Sequence, residues 1–129
     1  MIAVDTNVLV RYVTNDDPDQ AQRAVNMLAG SQTVFIPHSV LLEMEWVLRA
    51  VYDLDRAAIL TAFRQVLGLP NTQVDAPGLV ALTLERYEQG FDFADALHVA
   101  LAGSASPLFT FDSRFARLAD AAGLAVEIL

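Results

Sequence analysis

The sequence predicts an α/β protein in which a parallel sheet is flanked by helices. Short segments rich in β-forming side chains alternate with segments of helical periodicity, and two of the strongest short segments stop at an aspartate. Strands that alternate with helices in this way are joined by right-handed crossovers and lie parallel. With 129 residues and 54% hydrophobic side chains, the chain is expected to form a single domain over residues 1–129.

The first short segment, Ile2-Ala3-Val4, is followed at once by Asp5. A carboxylate at the carboxyl end of a parallel strand lies where open α/β sheets bind their ligands. The alternative is that Asp5 only caps the helix that follows. At the start of that helix, Thr6 is expected to supply a capping hydroxyl and Asn7 to hold the turn.

The same alternation continues through the middle of the chain. A helix over 18–30, with proline in its first turn, precedes a strand over 33–36 that a proline stops. Ser39 is expected to cap the next helix, which is apolar nearly all round and therefore central. A helix over 55–68, capped by aspartate and closed by glycine, precedes a short edge strand over 72–74.

The second half of the chain brings two further strands and more acidic helix starts. Asp92 is expected to cap a helix that carries Asp95 in its first turn, and Asp112 ends a strong strand. The predicted order is helix, helix, strand, helix and strand, over 75–90, 92–103, 108–111, 113–122 and 125–128.

Two glutamates on the central helix are assigned to different environments. Glu43 lies three and four residues before Trp46 and Val47, so helical spacing places it on their apolar face. A carboxylate on such a face either loses its solvation or meets a cation. Glu45 has Arg49 four residues later, which is the spacing of a surface ion pair. Glu43 is therefore assigned to the functional site and Glu45 to a solvated face.

Four carboxylates are expected at one edge of the sheet, because each follows a strand or lies in the first turns of the next helix: Asp5, Glu43, Asp95 and Asp112. Each taken alone is compatible with a cap or a first-turn acid. Together they repel, at about 4 kcal/mol for each pair ~4 Å apart at an effective dielectric of ~20. Hard divalent cations relieve this repulsion, and Mg²⁺ uses one or two carboxylates with waters and substrate phosphates.

The composition excludes several other chemistries. The chain has no cysteine and only His38 and His98, so a zinc site is disfavoured. It also has no lysine, which receiver domains and haloacid-type phosphatases require. The formal net charge of −8 repels nucleic acid unless cations intervene. No apolar run reaches membrane-spanning length and no leader pattern is present, so a cytoplasmic protein with no membrane association is expected.

Four segments carry a more specific pattern: Asp5-Thr6-Asn7, Ser39 to Glu43 continuing into Glu45-Trp46-Val47-Leu48, Phe93-Ala94-Asp95-Ala96-Leu97, and Thr110-Phe111-Asp112 with Phe115 beyond. In order, spacing and total length, this pattern resembles the PIN domain, and most closely the VapC toxins of bacterial toxin–antitoxin pairs. The resemblance covers essentially the whole chain. It implies a PIN-like three-layer sandwich with a central parallel sheet flanked by helices.

The resemblance also implies a Mg²⁺- or Mn²⁺-dependent endoribonuclease. Its acidic set is Asp5, Glu43, Asp95 and Asp112, with Asp5, Asp95 and Asp112 as metal ligands. Groups that orient these ligands or a water are Thr6, Asn7 and Thr110.

One position departs from the family pattern. Many relatives have a further acid two residues after the position of Asp112, and this chain has Arg114 there. Arg114 either contacts substrate phosphate or is a solvated helix arginine. His98, three residues after Asp95, either faces the site or is a partly buried helix histidine.

The resemblance further implies an RNA substrate, a VapB-like antitoxin and a homodimer. The early helices are expected to supply an apolar groove for the antitoxin, with Val8, Leu9, Tyr12, Val13 and Leu28 as candidate lining residues. The alternative is that these residues all belong to the internal core. The alternative function is a catalytically silent PIN-like module that binds RNA or protein and holds a structural metal ion.

Overall fold

The computed structural model describes residues 1–30 and 32–129. The chain forms two compact units, residues 1–77 and 78–129. In the parts of the chain that the structure describes, no helix has the length and apolar character needed to cross a membrane.

The first unit combines a parallel sheet with helices. Its elements in chain order are β1 (Ile2–Ala3), α1 (Thr6–Thr14), α2 (Pro18–Leu28), β2 (Val34–Phe35), α3 (His38–Ala50), α4 (Arg56–Leu67) and β3 (Thr72–Gln73). The strand order is β1-β2-β3, with Ile2 opposite Val34 and Val34 opposite Thr72. The predicted edge strand is therefore present as β3.

Helix α1 lies at the centre of this unit, where it packs against α2, α3 and α4. The fully buried side chains come from all of these elements and from β2, and include Leu9, Leu28, Val34, Leu41, Met44, Leu48, Ile59, Phe63 and Val66. Such a continuous apolar interior is what the 54% hydrophobic content predicts.

The cap predicted for α3 is wrong. The helix begins at His38, and its N-cap is Pro37, which makes no side-chain capping bond. The Pro37 carbonyl accepts the backbone N–H groups of Val40 and Leu41, at 3.0 and 3.2 Å. Ser39 therefore lies inside the first turn, because the proline, with φ of −61°, already provides the extended residue that precedes a helix.

The second unit contains α5 (Pro77–Glu88), α6 (Phe93–Ala102), β4 (Leu108–Thr110), α7 (Ser113–Ala121) and β5 (Val126–Ile128). Strands β4 and β5 pair in parallel, and α7 packs against both. The core of this unit holds Phe91 and Phe115, whose rings meet edge to face at 6.4 Å, with Ala96, Ala119 and Val126 around them. The predicted parallel pairing of strands is confirmed in both units. The strands form two separate sheets, one in each unit.

Candidate active site

Asp5 stands between β1 and α1 as the N-cap of the helix. Its backbone is extended, with φ of −84° and ψ of 160°, and its Oδ1 accepts the backbone N–H of Thr6 at 2.7 Å. The side chain is exposed. The assignment of the cap to Thr6 is therefore wrong, because Thr6 is already the first helical residue. Capping engages one carboxylate oxygen of Asp5 and leaves the other open to a ligand.

Thr6 has a buried hydroxyl that lacks a partner. The residue is 2% exposed, and its Oγ1 has no hydrogen bond within residues 1–30 and 32–129. Buried hydroxyls in native proteins are nearly always hydrogen-bonded. A water or a metal-bound oxygen beside Asp5 would supply the missing partner.

On helix α3, the burial of the two glutamates is the reverse of the prediction. Glu43 is exposed and Trp46 is 55% exposed, whereas Glu45 is 3% exposed. The buried face includes Val40 and also Leu41, Met44, Glu45 and Leu48, which follow the i, i+3, i+4, i+7 spacing of a core-facing stripe. The predicted Glu45–Arg49 pair is present at 2.9 Å, but its carboxylate is buried.

The prediction that Glu43 lies on a buried apolar face with Trp46 and Val47 is therefore wrong. The helix is apolar over a wide arc, so residue spacing alone does not determine which side is buried. Glu43 remains a candidate on the family motif, and its exposure leaves it accessible to a ligand. Asp5 and α3 follow β1 and β2, which are adjacent parallel strands. Both acids therefore lie beyond the carboxyl edge of one sheet, which is the ligand-binding edge of such folds.

In the second unit, Asp95 lies in the first turn of α6, and Asp92 caps that helix by accepting the Asp95 N–H at 3.1 Å. Partial burial raises the pKa of Asp95, and the negative charges of Asp92 and Asp112 raise it further, while His98 acts in the opposite direction. The structure therefore brings Asp95 and Asp112 into one electrostatic environment. The sequence pattern predicts Asp92 only as a helix cap. Its position three residues before Asp95 is the feature that indicates the repulsion between the two carboxylates.

Asp112 is held by bonds on both sides. Its Oδ1 accepts the backbone N–H of Phe115 at 3.1 Å, which caps α7, and its own N–H donates to the Thr110 hydroxyl at 3.0 Å. Thr110 thus fixes the turn that presents Asp112. Arg114 is exposed and donates from Nη2 to the Gly90 carbonyl at 3.2 Å.

His98 is exposed and not partly buried, so the helix-core alternative for this residue is wrong. Its charge acts on Asp95, so it lies near the acids.

The donor set suits a hard cation that keeps part of its water shell. Within residues 1–30 and 32–129, no three acidic or histidine side chains form a closed metal cluster. Mg²⁺ does not require one, since one or two carboxylates with waters and substrate phosphates suffice. Asp95 and Asp112 would be the pair of oxygen donors for such an ion, since Asp112 uses only one oxygen for capping.

The early helices contain a surface cavity, but of the five residues expected to line a groove only Val8 lines it. Leu9 and Leu28 are 0% and 2% exposed and belong to the core. The cavity, of about 300 Å³, is lined from α1 and α2 by Asn7, Val8, Arg11, Gln20, Arg23, Ala24 and Met27.

Comparison with known proteins agrees with the sequence pattern. The PIN domain model matches residues 2–121, a span that contains all four candidate acids. No curated protein gave a match. Among solved structures, the chain is similar to Mycobacterium tuberculosis VapC20, a Sarcin-Ricin loop cleaving toxin, at 20% identity over 97% of each chain with a TM-score of 0.45. The family match confirms the predicted α/β PIN-like fold class and supports a nuclease. The chain belongs to the PIN-domain family.

Proposed function

We propose that this protein is a divalent-metal-dependent endoribonuclease that hydrolyses RNA phosphodiester bonds, and that it is the toxin of a type II toxin–antitoxin system. The observation that carries the proposal is the carboxylate pair at the starts of α6 and α7. Asp95 is half-buried beside the negative charge of Asp112, within a chain that matches the PIN domain. Such a pair is stable near neutral pH when a cation joins it.

Each acid has a role in this proposal. By the family motif, Asp5, Asp95 and Asp112 would be the ligands of Mg²⁺ or Mn²⁺. The Asp92 carboxylate accepts the backbone N–H of Asp95, and the Thr110 hydroxyl accepts the backbone N–H of Asp112, so both ligands are held in place. When bound, the ion supplies an activated water and positive charge for the phosphoryl oxygens. Glu43 would position the attacking water. The local positive charge also lets a chain of net charge −8 approach RNA.

Cleavage of a broad RNA panel with Mg²⁺ or Mn²⁺, with and without EDTA, tests the proposal. Wild type should cleave only with metal, Asp95→Asn should not cleave, and Asp120→Asn, an exposed acid on α7, should cleave like wild type. Metal-dependent RNA binding without cleavage by wild type would instead favour the silent binding module.

The proposed partners follow from the same reading. A VapB-like antitoxin should copurify in a stoichiometric complex with suppressed cleavage, and a fully active complex would argue against it.

The free chain is proposed to be a homodimer, so light scattering should give about twice its 14.0 kDa mass. We also place it in the cytoplasm, where its RNA substrate lies.

A further inference from the structure

Arg114 joins the two helix starts that carry the proposed metal ligands of the second unit. It lies in the first turn of α7, two residues after Asp112, and its Nη2 donates to the Gly90 carbonyl at 3.2 Å. Gly90 lies two residues before Asp92, the N-cap of α6, and the first turn of α6 contains Asp95. The bond therefore links the segments that present Asp95 and Asp112, which is neither of the two roles expected for Arg114 from the sequence.

The acceptor of this bond is held in place by the turn that ends α5. Gly90 has a φ of +112°, a backbone conformation that glycine adopts without strain, and its N–H donates to the Tyr87 carbonyl at 3.1 Å. The Gly90 carbonyl and the Phe91 N–H belong to one planar peptide unit. That N–H donates to the Arg86 carbonyl at 3.1 Å, so the direction of the Gly90 carbonyl is fixed as well. The guanidinium thus meets an acceptor of defined position.

A buried ring contact lies beside the hydrogen bond. The residues that follow Gly90 and Arg114 in the chain are both phenylalanines. These residues, Phe91 and Phe115, are 2% and 4% exposed, and their rings meet edge to face at 6.4 Å. A single ring contact brings two segments together but lets them rotate about it. The charge-assisted bond of Arg114 adds a second, directional link, which restricts that rotation.

The relative position of Asp95 and Asp112 is decisive for an ion that they share. Mg²⁺ demands near-ideal octahedral geometry, with oxygens at about 2.0–2.1 Å, so displacing one carboxylate weakens its binding. We infer that Arg114 is a positioning residue, which holds the start of α7 against the turn before α6 and thereby sets the distance between Asp95 and Asp112. The inference rests on the proposed function, because it assumes that these two carboxylates bind one ion.

The direction of the effect on metal binding separates positioning from charge. Because the guanidinium is positive, removing its charge alone should tighten the binding of a divalent cation nearby. Removing a bond that positions the ligands should instead weaken metal binding, typically by about 10–100-fold. Contact between Arg114 and an RNA phosphate predicts no weakening, because a titration with metal alone contains no RNA.

Isothermal titration calorimetry of the metal-free full chain with Mn²⁺, well below its melting temperature, measures this effect. Arg114→Ala should raise the dissociation constant by about 10-fold or more, and Arg114→Lys, which keeps a cationic donor, should recover most of the loss. The control, Arg117→Ala, removes an exposed arginine one turn further along α7 and should bind Mn²⁺ at least as tightly as wild type. In cleavage assays at saturating Mn²⁺, Arg114→Ala should show the wild-type KM for RNA.

A dissociation constant for Mn²⁺ in Arg114→Ala that equals or falls below the wild-type value would overturn the inference, as would an equal loss in Arg117→Ala. A raised KM for RNA with unchanged Mn²⁺ binding would assign Arg114 to a substrate phosphate and also overturn it. If wild type binds no Mn²⁺, the inference and the proposed function are both wrong. If wild type binds Mn²⁺ but cleaves no RNA, only the proposed hydrolysis is contradicted, and the calorimetric comparison still decides the role of Arg114.

Discussion

At the residue scale, several aspartates perform the same structural task. Three of them, Asp5, Asp55 and Asp112, each accept a backbone N–H at the start of a helix, at 2.7, 2.8 and 3.1 Å. Each bond uses one carboxylate oxygen and is available equally to asparagine, which caps helices about as well. Capping and metal binding are therefore compatible in one side chain, and a substitution that keeps the cap can separate them.

Asp95 makes stability depend on pH in the metal-free protein. Its raised pKa means that the folded state binds the proton more tightly than the unfolded chain, so folding stability falls as pH rises from the ordinary value of 3.8 through the raised one. Asparagine carries no such penalty. Asp95→Asn should therefore be more stable than wild type at pH 7 in EDTA, and this difference should vanish near pH 3. Urea unfolding at both pH values measures it, and a difference that does not depend on pH would refute the assignment.

Glu45 has a structural role that the sequence did not predict. Its buried carboxylate meets a half-exposed arginine, so losing the charge weakens one charge-assisted pair and leaves polar atoms in the core. Glu45→Gln should lower the unfolding free energy by about 1–3 kcal/mol while cleavage persists below the melting temperature. Glu85→Gln, an exposed glutamate on α5, should change stability by less than about 0.5 kcal/mol. If a folded Glu45→Gln protein no longer cleaves RNA, the site includes Glu45 and the structural role is wrong.

At the element scale, helix caps show what local sequence can and cannot determine. Asp55 and Asp92 were recognisable because each directly precedes a helical segment, and each accepts the N–H of the residue three positions on. Ser39 has the same chemical type, but Pro37 starts the helix earlier. The buried side of α3 was not predictable either, since its apolar arc is wide and contacts with α1 and α4, which are tertiary, select the buried side.

The two capping predictions can be compared directly. Asp55→Ala removes the acceptor of the Ala58 N–H and should lower the unfolding free energy by about 0.5–2 kcal/mol. Ser39→Ala removes no capping bond and should cost less than about 0.5 kcal/mol. Equal losses in chemical denaturation would mean that Ser39 caps α3 after all.

At the scale of the whole molecule, an excess of negative charge accompanies clustered acids. With 16 acidic and 8 basic residues, the chain repels further anions, whereas a bound cation lowers its electrostatic self-repulsion. The family and the parallel strands followed from sequence, because motif order and strand ends are local features. The buried Glu45, the exposed Trp46 and the orphaned Thr6 hydroxyl did not, because burial is set by distant parts of the chain.

A ligand that binds only the folded state stabilises it by about 2.7 kcal/mol at 100 times Kd. Saturating Mg²⁺ or Mn²⁺ should therefore raise the melting temperature at neutral pH, and Asp95→Asn should lose most of that increase. Differential scanning fluorimetry with and without EDTA measures the shift. An equal shift in both proteins would show that the ion binds elsewhere.

The most direct measurement compares RNA cleavage by the three cap-preserving variants Asp5→Asn, Asp112→Asn and Asp55→Asn. All three should fold with wild-type stability or better, because asparagine retains the cap. Asp5→Asn and Asp112→Asn should lose at least about 100-fold in metal-dependent cleavage, since they remove proposed ligands, whereas Asp55→Asn should cleave like wild type. If Asp5→Asn and Asp112→Asn cleave as well as Asp55→Asn, the acids are only helix caps and the proposed metal-dependent nuclease site is wrong.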